Sequence, residues 1–498
     1  MSFYLGIDAG QTVVKAVLFD EDFNEVGQGK QASPNVSPEP RFVERSQDDL
    51  WSAANSAISE AISTSGVSAK DIQGVGIAGH GDGLHLVDAK GDAVGPAIMA
   101  VDSRAWREMD EILSDSERSK RILETSGQVP FLGSTGVIMS WVNNNKPELL
   151  DKSDSMLFCK DVLRLRLTGS VGTDFSDASA SFLDVANSKW SKQVLAEYGL
   201  HDYENLLPNL NKSTDMVAGV SKAAAEQTGL VEGTPLAAGS HDVHAAALGM
   251  GSLIEDTLTM VAGSFSINAV TTTNTAVDPR WQSRLSLDAQ LRIAMSTSAT
   301  ASTTLEWVLK TLGLNESDAR ERIFKQASEI QQSDDLPILL PYLYASPFGE
   351  IPSGTFLGLR SWHTPAQLIR ATLEGLVWMH LWHTDALSSA FKFEGVIRLA
   401  GGVSRSEMYC QMVADAINAQ VQTIKTQETG AFGAAGLVAM GTGQIGSEEL
   451  AKKVKIDKQF DPEPEGVRYW EERKAILYQV HTSLSPIWQR LSNSSEDK

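Results

Sequence analysis

Asp8-Ala-Gly-Gln-Thr12, with Lys15 close behind, is a set of groups suited to a triphosphate. Gly10 lets backbone amides turn toward a ligand oxygen. Thr12 adds a hydroxyl donor, Lys15 a cation, and Asp8 a carboxylate able to hold Mg2+ through water. The same residues also suit an ordinary hairpin turn, which favours Asp and Gly on backbone grounds. A second small turn, Gly263-Ser264, sits in the later half. Ala9-Gly10 aligns with Ala262-Gly263 and Ala16-Val17 with Ala269-Val270, at the same offset of 253 residues. The pairing of the two turns points to phosphate held from two sides.

Asp242 follows the small residues Ala237-Ala-Gly-Ser240 and opens the helical run 243–248. Spacing alone makes it a helix N-cap. Gly401-Gly402 ends one strand and leads, through Ser406, into a helix. Two glycines there permit close approach of a ribose or a flat ring, and Ser406 is a cap. The histidine pairs His241/His244 and His380/His383 lack the neighbouring ligands of a usual metal centre, so packed or solvated histidines are expected. Trp378 and Trp382 read as core. Gly74-Val-Gly-Ile-Ala-Gly79 matches G-x-G-x-x-G, but its glycines lie inside a strand and no helix follows, so a dinucleotide site is rejected. No P-loop motif occurs.

The elements that carry these residues read as strands and turns. Strands are expected at 3–7, 13–19, 25–32 and 72–78, with a glycine-rich turn at 79–83. A helix is expected over 47–64, capped by Ser46 with Asp48 and Asp49 in its first turn. A hairpin is expected from 84–88 and 94–99. The span 258–273 repeats the strand–turn–strand pattern, and a strand ending at Ala400 mirrors the one ending at Ala78. These repeats suggest an α/β protein of two like domains facing each other across a cleft. The boundary is placed at 240/241, giving domains 1–240 and 241–466, then a terminal helix and polar tail over 467–498.

The chain has 498 residues, 63 acidic and 42 basic, for a net charge of −21. Such a surface opposes nucleic acid and anionic lipid. Two cysteines rule out a disulfide framework and suit a reducing cytoplasm. No targeting segment or membrane-length apolar run is evident.

Taken together, the sequence resembles the FGGY family of carbohydrate kinases, within the actin-like ATPase superfamily. The resemblance runs from residue 5 to about 445. It is carried by GIDAGQTVVKAVLFD (6–20), GIAGHGDGLHLVD (76–88), VDSRA (101–105), KDVLRLRLTG (160–169) and TDFSDAS (173–179). AAGSHDVHAAALGMG (237–251), LPYLYASPFGEIP (340–352), IRATLEG (369–375), AGGVSRSEMYCQMVADAINAQV (400–421) and ETGAFGAAGLVA (428–439) complete the ordered set. The resemblance implies two ribonuclease H-like domains flanking a catalytic cleft, with ATP and Mg2+ as cofactors. It assigns Mg2+ to Asp8 and ATP phosphates to Thr12, Lys15, Gly263 and Ser264, where the family usually has Gly-Thr. Adenosine falls to Gly401, Gly402 and Ser406. Asp242 becomes the catalytic base, which overturns the N-cap reading. Glu44, His80, Asp82, Asp102 and Arg104 become sugar-side residues.

The turn Gly79-His-Gly-Asp-Gly83 departs from the Met-His-Gly of D-xylulose kinases and is more similar to that of erythritol and L-xylulose kinases. Val101 stands near where glycerol kinases carry tryptophan. A neutral ketopentose or a four- or five-carbon polyol is therefore the expected substrate, with xylulose or L-xylulose favoured and no nucleic acid or membrane partner. A homodimer is left open. The competing readings are an actin-like phosphohydrolase and a degraded, sugar-sensing regulator. Glu44, Asp102 and Arg104 speak against the first, and retention of Asp8 and Asp242 against the second.

Overall fold

The computed structural model describes residues 2–263, 265–287, 289–330, 335–344, 346–348 and 352–496. Ser264, a proposed phosphate contact, lies outside the described residues. The chain forms two compact units. The first comprises Met1–Glu255, Thr271–Ala294 and Thr426–Lys455, and the second Asp256–Val270, Met295–Lys425 and Ile456–Lys498.

In the first unit the strands Phe3–Ala9 and Val13–Phe19 form an antiparallel hairpin, and Glu25–Ala32 adds to its outer edge. Ile72–Gly79 pairs in parallel with the first strand, setting Asp8 opposite Ala78. Ser240–His241 continues along the end of Ile72–Gly79, with His241 opposite Gly79. Alternation of Leu5, Ile7, Val14, Ala16 and Leu18 with the facing residues buries an apolar layer against the helix Gln47–Ser65. Ser46 caps that helix as expected, its hydroxyl accepting from the Asp48 and Asp49 amides. A cap of this kind is worth about 1 kcal/mol.

The helix Thr429–Gly441 packs against the same sheet. Its approach requires missing side chains. A Cβ on Gly6 would lie 1.8 Å from the Ala431 carbonyl oxygen, and one on Gly76 would lie 1.9 Å from that of Ala434. Gly76 is thus a packing residue inside a strand, in keeping with rejection of the dinucleotide motif.

In the second unit Thr257–Ala262 and Ser266–Thr272 are neighbouring strands, and Ile397–Ala400 pairs in parallel with the former, Val261 opposite Ala400. The order parallel strand, first hairpin strand, second hairpin strand therefore occurs in both sheets, as the sequence offset implied. The terminal helix is longer than expected, spanning Pro464–Glu496.

The expected hairpin forms: Leu84 and Ile98 exchange both amide bonds, at 2.8 and 2.9 Å, and the Val94 amide donates to the Leu86 carbonyl at 2.9 Å. Its arms also take partners that were not expected, His85–Val87 pairing with Ser155–Leu157 and Ala97–Ile98 with Glu44–Arg45. Edges from distant segments thus extend the local pairing. No helix among the described residues is long and apolar enough to cross a membrane.

Candidate active site

Asp8 stands at the end of the first strand, against the start of the helix Thr429–Gly441. A Cβ on Gly430 would lie 2.5 Å from Asp8 Oδ2, so glycine there makes room for the carboxylate. Burial, then repulsion from Asp242, lift the Asp8 carboxyl to about 7, with Lys15 opposing and Glu428 adding to the rise. Lys15 is opposite Asp8 in the hairpin, but its Nζ is 2.6 Å from Glu428 Oε2. A phosphate contacting Lys15 must share it with that carboxylate. Thr12 is exposed. Arg45 braces the turn from beneath, donating to the Gly10 and Gln11 carbonyls at 3.2 and 3.3 Å.

Asp242 is the first residue of the helix Asp242–Gly249, and the N-cap is His241. The Asp242 side chain is 36% exposed, whereas that of His241 is 6% exposed. A half-buried carboxylate therefore rises from a buried base. Burial alone would raise its pKa, but His241, His80 and the Val243 amide together outweigh burial and the net direction is down, favouring the ionised carboxylate. His241 Nδ1 lies 2.9 Å from Asp242 Oδ1, and His241 Nε2 lies 2.8 Å from Arg284 Nη1. The other arm of Arg284, Nη2, donates to Asp82 Oδ2 at 3.2 Å and to Gln128 Oε1 at 3.3 Å. Asp82 adopts a φ of 59°, which turns its carboxylate toward this cation. Gly81 leaves space for the His241 ring: a Cβ there would lie 2.0 Å from His241 Cδ2.

Glu44, Asp102 and Arg104 come together as a second ionic group. Arg104 Nη2 is 2.8 Å from Glu44 Oε1, and Arg104 Nε donates to Asp102 at 2.9 and 3.0 Å. Asp102 also accepts from the Val43 and Arg104 amides, at 2.6 and 2.8 Å. Its carboxylate is thus saturated by protein donors, and Glu44 is the more open of the two. The Arg104 guanidinium lies 3.9 Å from the Phe42 ring centroid. His80 is buried, with Nε2 2.8 Å from Arg45 Nη2. Burial and then the Arg45 charge push its pKa down to about 3, so the ring is neutral.

Three further groups carry the site and were not singled out by sequence spacing. Arg284 comes from the strand Gln282–Leu285, and Arg45 from beside Glu44. Lys160, wholly buried, meets Asp161, Asp174 and Asp177 at 2.5, 3.0 and 3.2 Å. Asp174 accepts from the Ser176 hydroxyl at 2.6 Å, and that hydroxyl accepts from the His241 amide at 2.9 Å. The cluster thus anchors the backbone next to Asp242. Its only sequence signal was the presence of Lys160, Asp174 and Asp177 in two of the family-like stretches.

In the second unit Gly401 has a φ of 104°, and a Cβ on it would lie 2.4 Å from the Ala262 carbonyl oxygen and 2.9 Å from the Gly263 amide nitrogen. The two small turns therefore abut. Gly402 begins a 3-10 turn to Arg405, and Ser406 caps Glu407–Ile417 by accepting from the Tyr409 amide. A cavity of about 430 Å³ opens beside them, lined by Leu305, Leu309, Phe324, Gly402, Val403 and Ser406. Its apolar floor and glycine edge suit a purine nucleoside. His380 and His383 bond instead to Asn268, Ser296 and Ser298 within the core, and Trp378 is buried.

Among the described residues no group of three or more His, Cys, Asp or Glu side chains is arranged to hold a metal ion. Mg2+ delivered with a nucleotide needs only one or two protein carboxylates, because water and phosphate supply the remaining oxygens. Asp8 fits that requirement, since its ionisation is opposed by two neighbouring carboxylates and a cation would favour it.

The model of the FGGY family of carbohydrate kinases, N-terminal domain, matches residues 3–249, and that of the C-terminal domain matches 258–442. The L-xylulose/3-keto-L-gulonate kinase of Escherichia coli (strain K12) is 29% identical over 446 residues, covering 89% of this chain and 88% of that protein. The xylulose kinase of the same organism is 27% identical over 503 residues, covering 97% and 99%. The crystal structure of xylulose kinase from Rhodospirillum rubrum superposes with a TM-score of 0.90 at 23% identity, covering 98% and 100%, a likeness of fold.

Proposed function

Since this chain belongs to the FGGY family of carbohydrate kinases and is an ATP-dependent sugar kinase, we propose that it phosphorylates a neutral ketopentose or C4–C5 polyol, xylulose or L-xylulose before others, with Asp242 as general base. The observation that carries this reading is the half-buried Asp242 carboxylate, held in its ionised form, beside a sugar side whose cations are already paired. Arg284 is committed to Asp82, and Arg104 to Asp102 and Glu44. Neither is free to take a substrate carboxylate, whereas Glu44 and Asp82 retain lone pairs for hydroxyls.

In the proposed reaction the substrate hydroxyl oxygen attacks the γ-phosphorus of ATP. Its proton passes to Asp242, the bond from phosphorus to the β,γ-bridging oxygen breaks, and ADP leaves. Asp8 would hold Mg2+, which when bound would supply charge neutralisation at the phosphates. Thr12 and Lys15 are assigned to phosphate, as are Gly263 and Ser264. Gly401, Gly402 and Ser406 are assigned to adenosine. His80, buried and neutral, shapes the sugar turn.

The test is ADP release with ATP and Mg2+ against D-xylulose, L-xylulose, ribulose, erythritol, xylitol, gluconate and 3-keto-L-gulonate. A pentulose is expected to give the highest kcat/KM. Preference for either sugar acid would overturn the neutral-substrate reading. Asp242→Asn is expected to lose at least about 100-fold in kcat while binding ATP normally, the lower range for a general base.

A further inference from the structure

Two hydrogen-bonding directions compete at one nitrogen of His241. Asp242 Oδ1 lies 2.9 Å from Nδ1 and, as a carboxylate, only accepts. The Val243 amide lies 3.2 Å from the same Nδ1 and only donates. A neutral imidazole nitrogen is either donor or acceptor, so both cannot be satisfied together. The far nitrogen decides between them. Arg284 Nη1 lies 2.8 Å from Nε2, and a guanidinium has no lone pair to offer. Nε2 must therefore carry the lone pair, and the ring hydrogen is on Nδ1, directed at Asp242.

Arg284 is itself held in place. It is 2% exposed, and its second arm is fixed by Asp82 and Gln128. His241 is fixed at its other end, where its amide donates to Ser176 Oγ. Among the described residues, the other charged or titratable groups around the pair include Asp8, His80, Cys159, Asp177 and His244. Among the described residues, only Arg284 contacts Nε2 as a donor.

We infer that Arg284 and His241 are positioning residues for phosphoryl transfer: Arg284 sets the tautomer of His241, and His241 Nδ1–H anchors one oxygen of Asp242, leaving the other for the substrate proton. The inference rests on Asp242 being the base. It also explains the sugar turn. Gly81 clears the ring, and Asp82 steadies the guanidinium, so the loop at 80–83 and the base are parts of one hydrogen-bonded chain.

The experiment compares His241→Asn with His241→Gln. The Asn amide falls near the place of Nδ1 and can still donate to Asp242. The Gln amide falls near that of Nε2 and cannot serve Asp242 in the same geometry. His241→Asn is expected to stay within about fivefold of wild type in kcat. His241→Gln is expected to lose about 100-fold, the cost of roughly 1 Å of misplacement at a reacting group. ATP affinity and sugar KM should stay near wild type in both. Arg284→Met should lower kcat as the Gln variant does. Equal kcat in the Asn and Gln variants would overturn the inference, as would wild-type kcat in Arg284→Met.

A readout on the unaltered protein guards against variants that do not fold. Nitrogen-15 NMR of histidine-labelled enzyme should show a ring protonated at Nδ1 with a bare Nε2 that disappears in the His241→Asn spectrum, while the rings of His80, beside Arg45, and His380, beside Asn268, keep the same tautomer. If none of the proteins but wild type folds, the His241 ring, assigned in the wild-type spectrum through its own backbone, decides: a ring hydrogen on Nδ1 supports the inference and one on Nε2 overturns it. Asp242→Asn separates the two claims. If that variant turns over normally, the base assignment fails. If it is inactive while His241→Gln is not, only the positioning role fails.

Discussion

Gly81→Ala tests the chain that ends in Asp242 without altering any polar group. The added Cβ would lie 2.0 Å from His241 Cδ2, 2.2 Å from His241 Nε2 and 3.0 Å from Asp177 Oδ1. Carbon atoms in contact sit about 3.5–4.0 Å apart, so the ring has to retreat by about 1.5 Å or more. The contacts of Nε2 with Arg284, at 2.8 Å, and of Nδ1 with Asp242, at 2.9 Å, cannot both survive such a move. The expected result is a fall in kcat of about 100-fold, as for misplacement of a catalytic group by about 1 Å. Overpacking adds a stability loss of about 1–3 kcal/mol. The assay is ADP release at saturating sugar and ATP, with ATP affinity measured separately by titration calorimetry. Lost kcat with retained ATP affinity is the signature of a displaced base. A kcat within about threefold of wild type would refute the reasoning, because the ring would then be free to move without consequence.

Asp82→Ala should raise the sugar KM far more than the ATP KM, since it removes a pocket carboxylate and frees one arm of Arg284; unchanged sugar kinetics would return Asp82 to a turn-bracing role. Lys160→Met should cost about 3–5 kcal/mol of stability, because it leaves buried carboxylates uncompensated; a change in unfolding free energy below about 1 kcal/mol would contradict this. Burial, aided by His241, pushes the His244 pKa down to about 3, and among the described residues neither ring nitrogen has a hydrogen-bond partner. The unfolded chain therefore binds a proton below about pH 6.5 that the folded chain refuses. His244 thus costs stability as pH falls from there, at up to about 1.4 kcal/mol per unit, levelling off below the folded value. His244→Leu should show a smaller drop in Tm than wild type between pH 7 and pH 5, and parallel Tm curves would refute it.

Short-range structure was legible because its causes are local. Ser46 and Ser406 announce helix starts by their own hydroxyls. The hairpin 3–19 follows from alternation and a glycine turn. The 253-residue offset between its turn and that at Gly263 matches two sheets of the same order. The arms 84–88 and 94–99 bond to each other as read, but their further partners, Ser155–Leu157 and Glu44–Arg45, left no local signal because they come from elsewhere in the chain.

By itself the sequence determined the family and the two-sheet architecture and put Asp8 and Asp242 forward as site candidates, because these readings rest on ordered motifs and backbone chemistry carried within a few positions. Only the tertiary structure decided which side chains control them. Arg284 reaches Asp82 across 202 positions and His241 across 43, and Lys15 reaches Glu428 across 413. No periodicity or spacing records such pairs. A buried charge is tolerated only where the fold supplies a partner, and the partner is selected by proximity in space, along sheet edges and helix ends that local sequence does not specify.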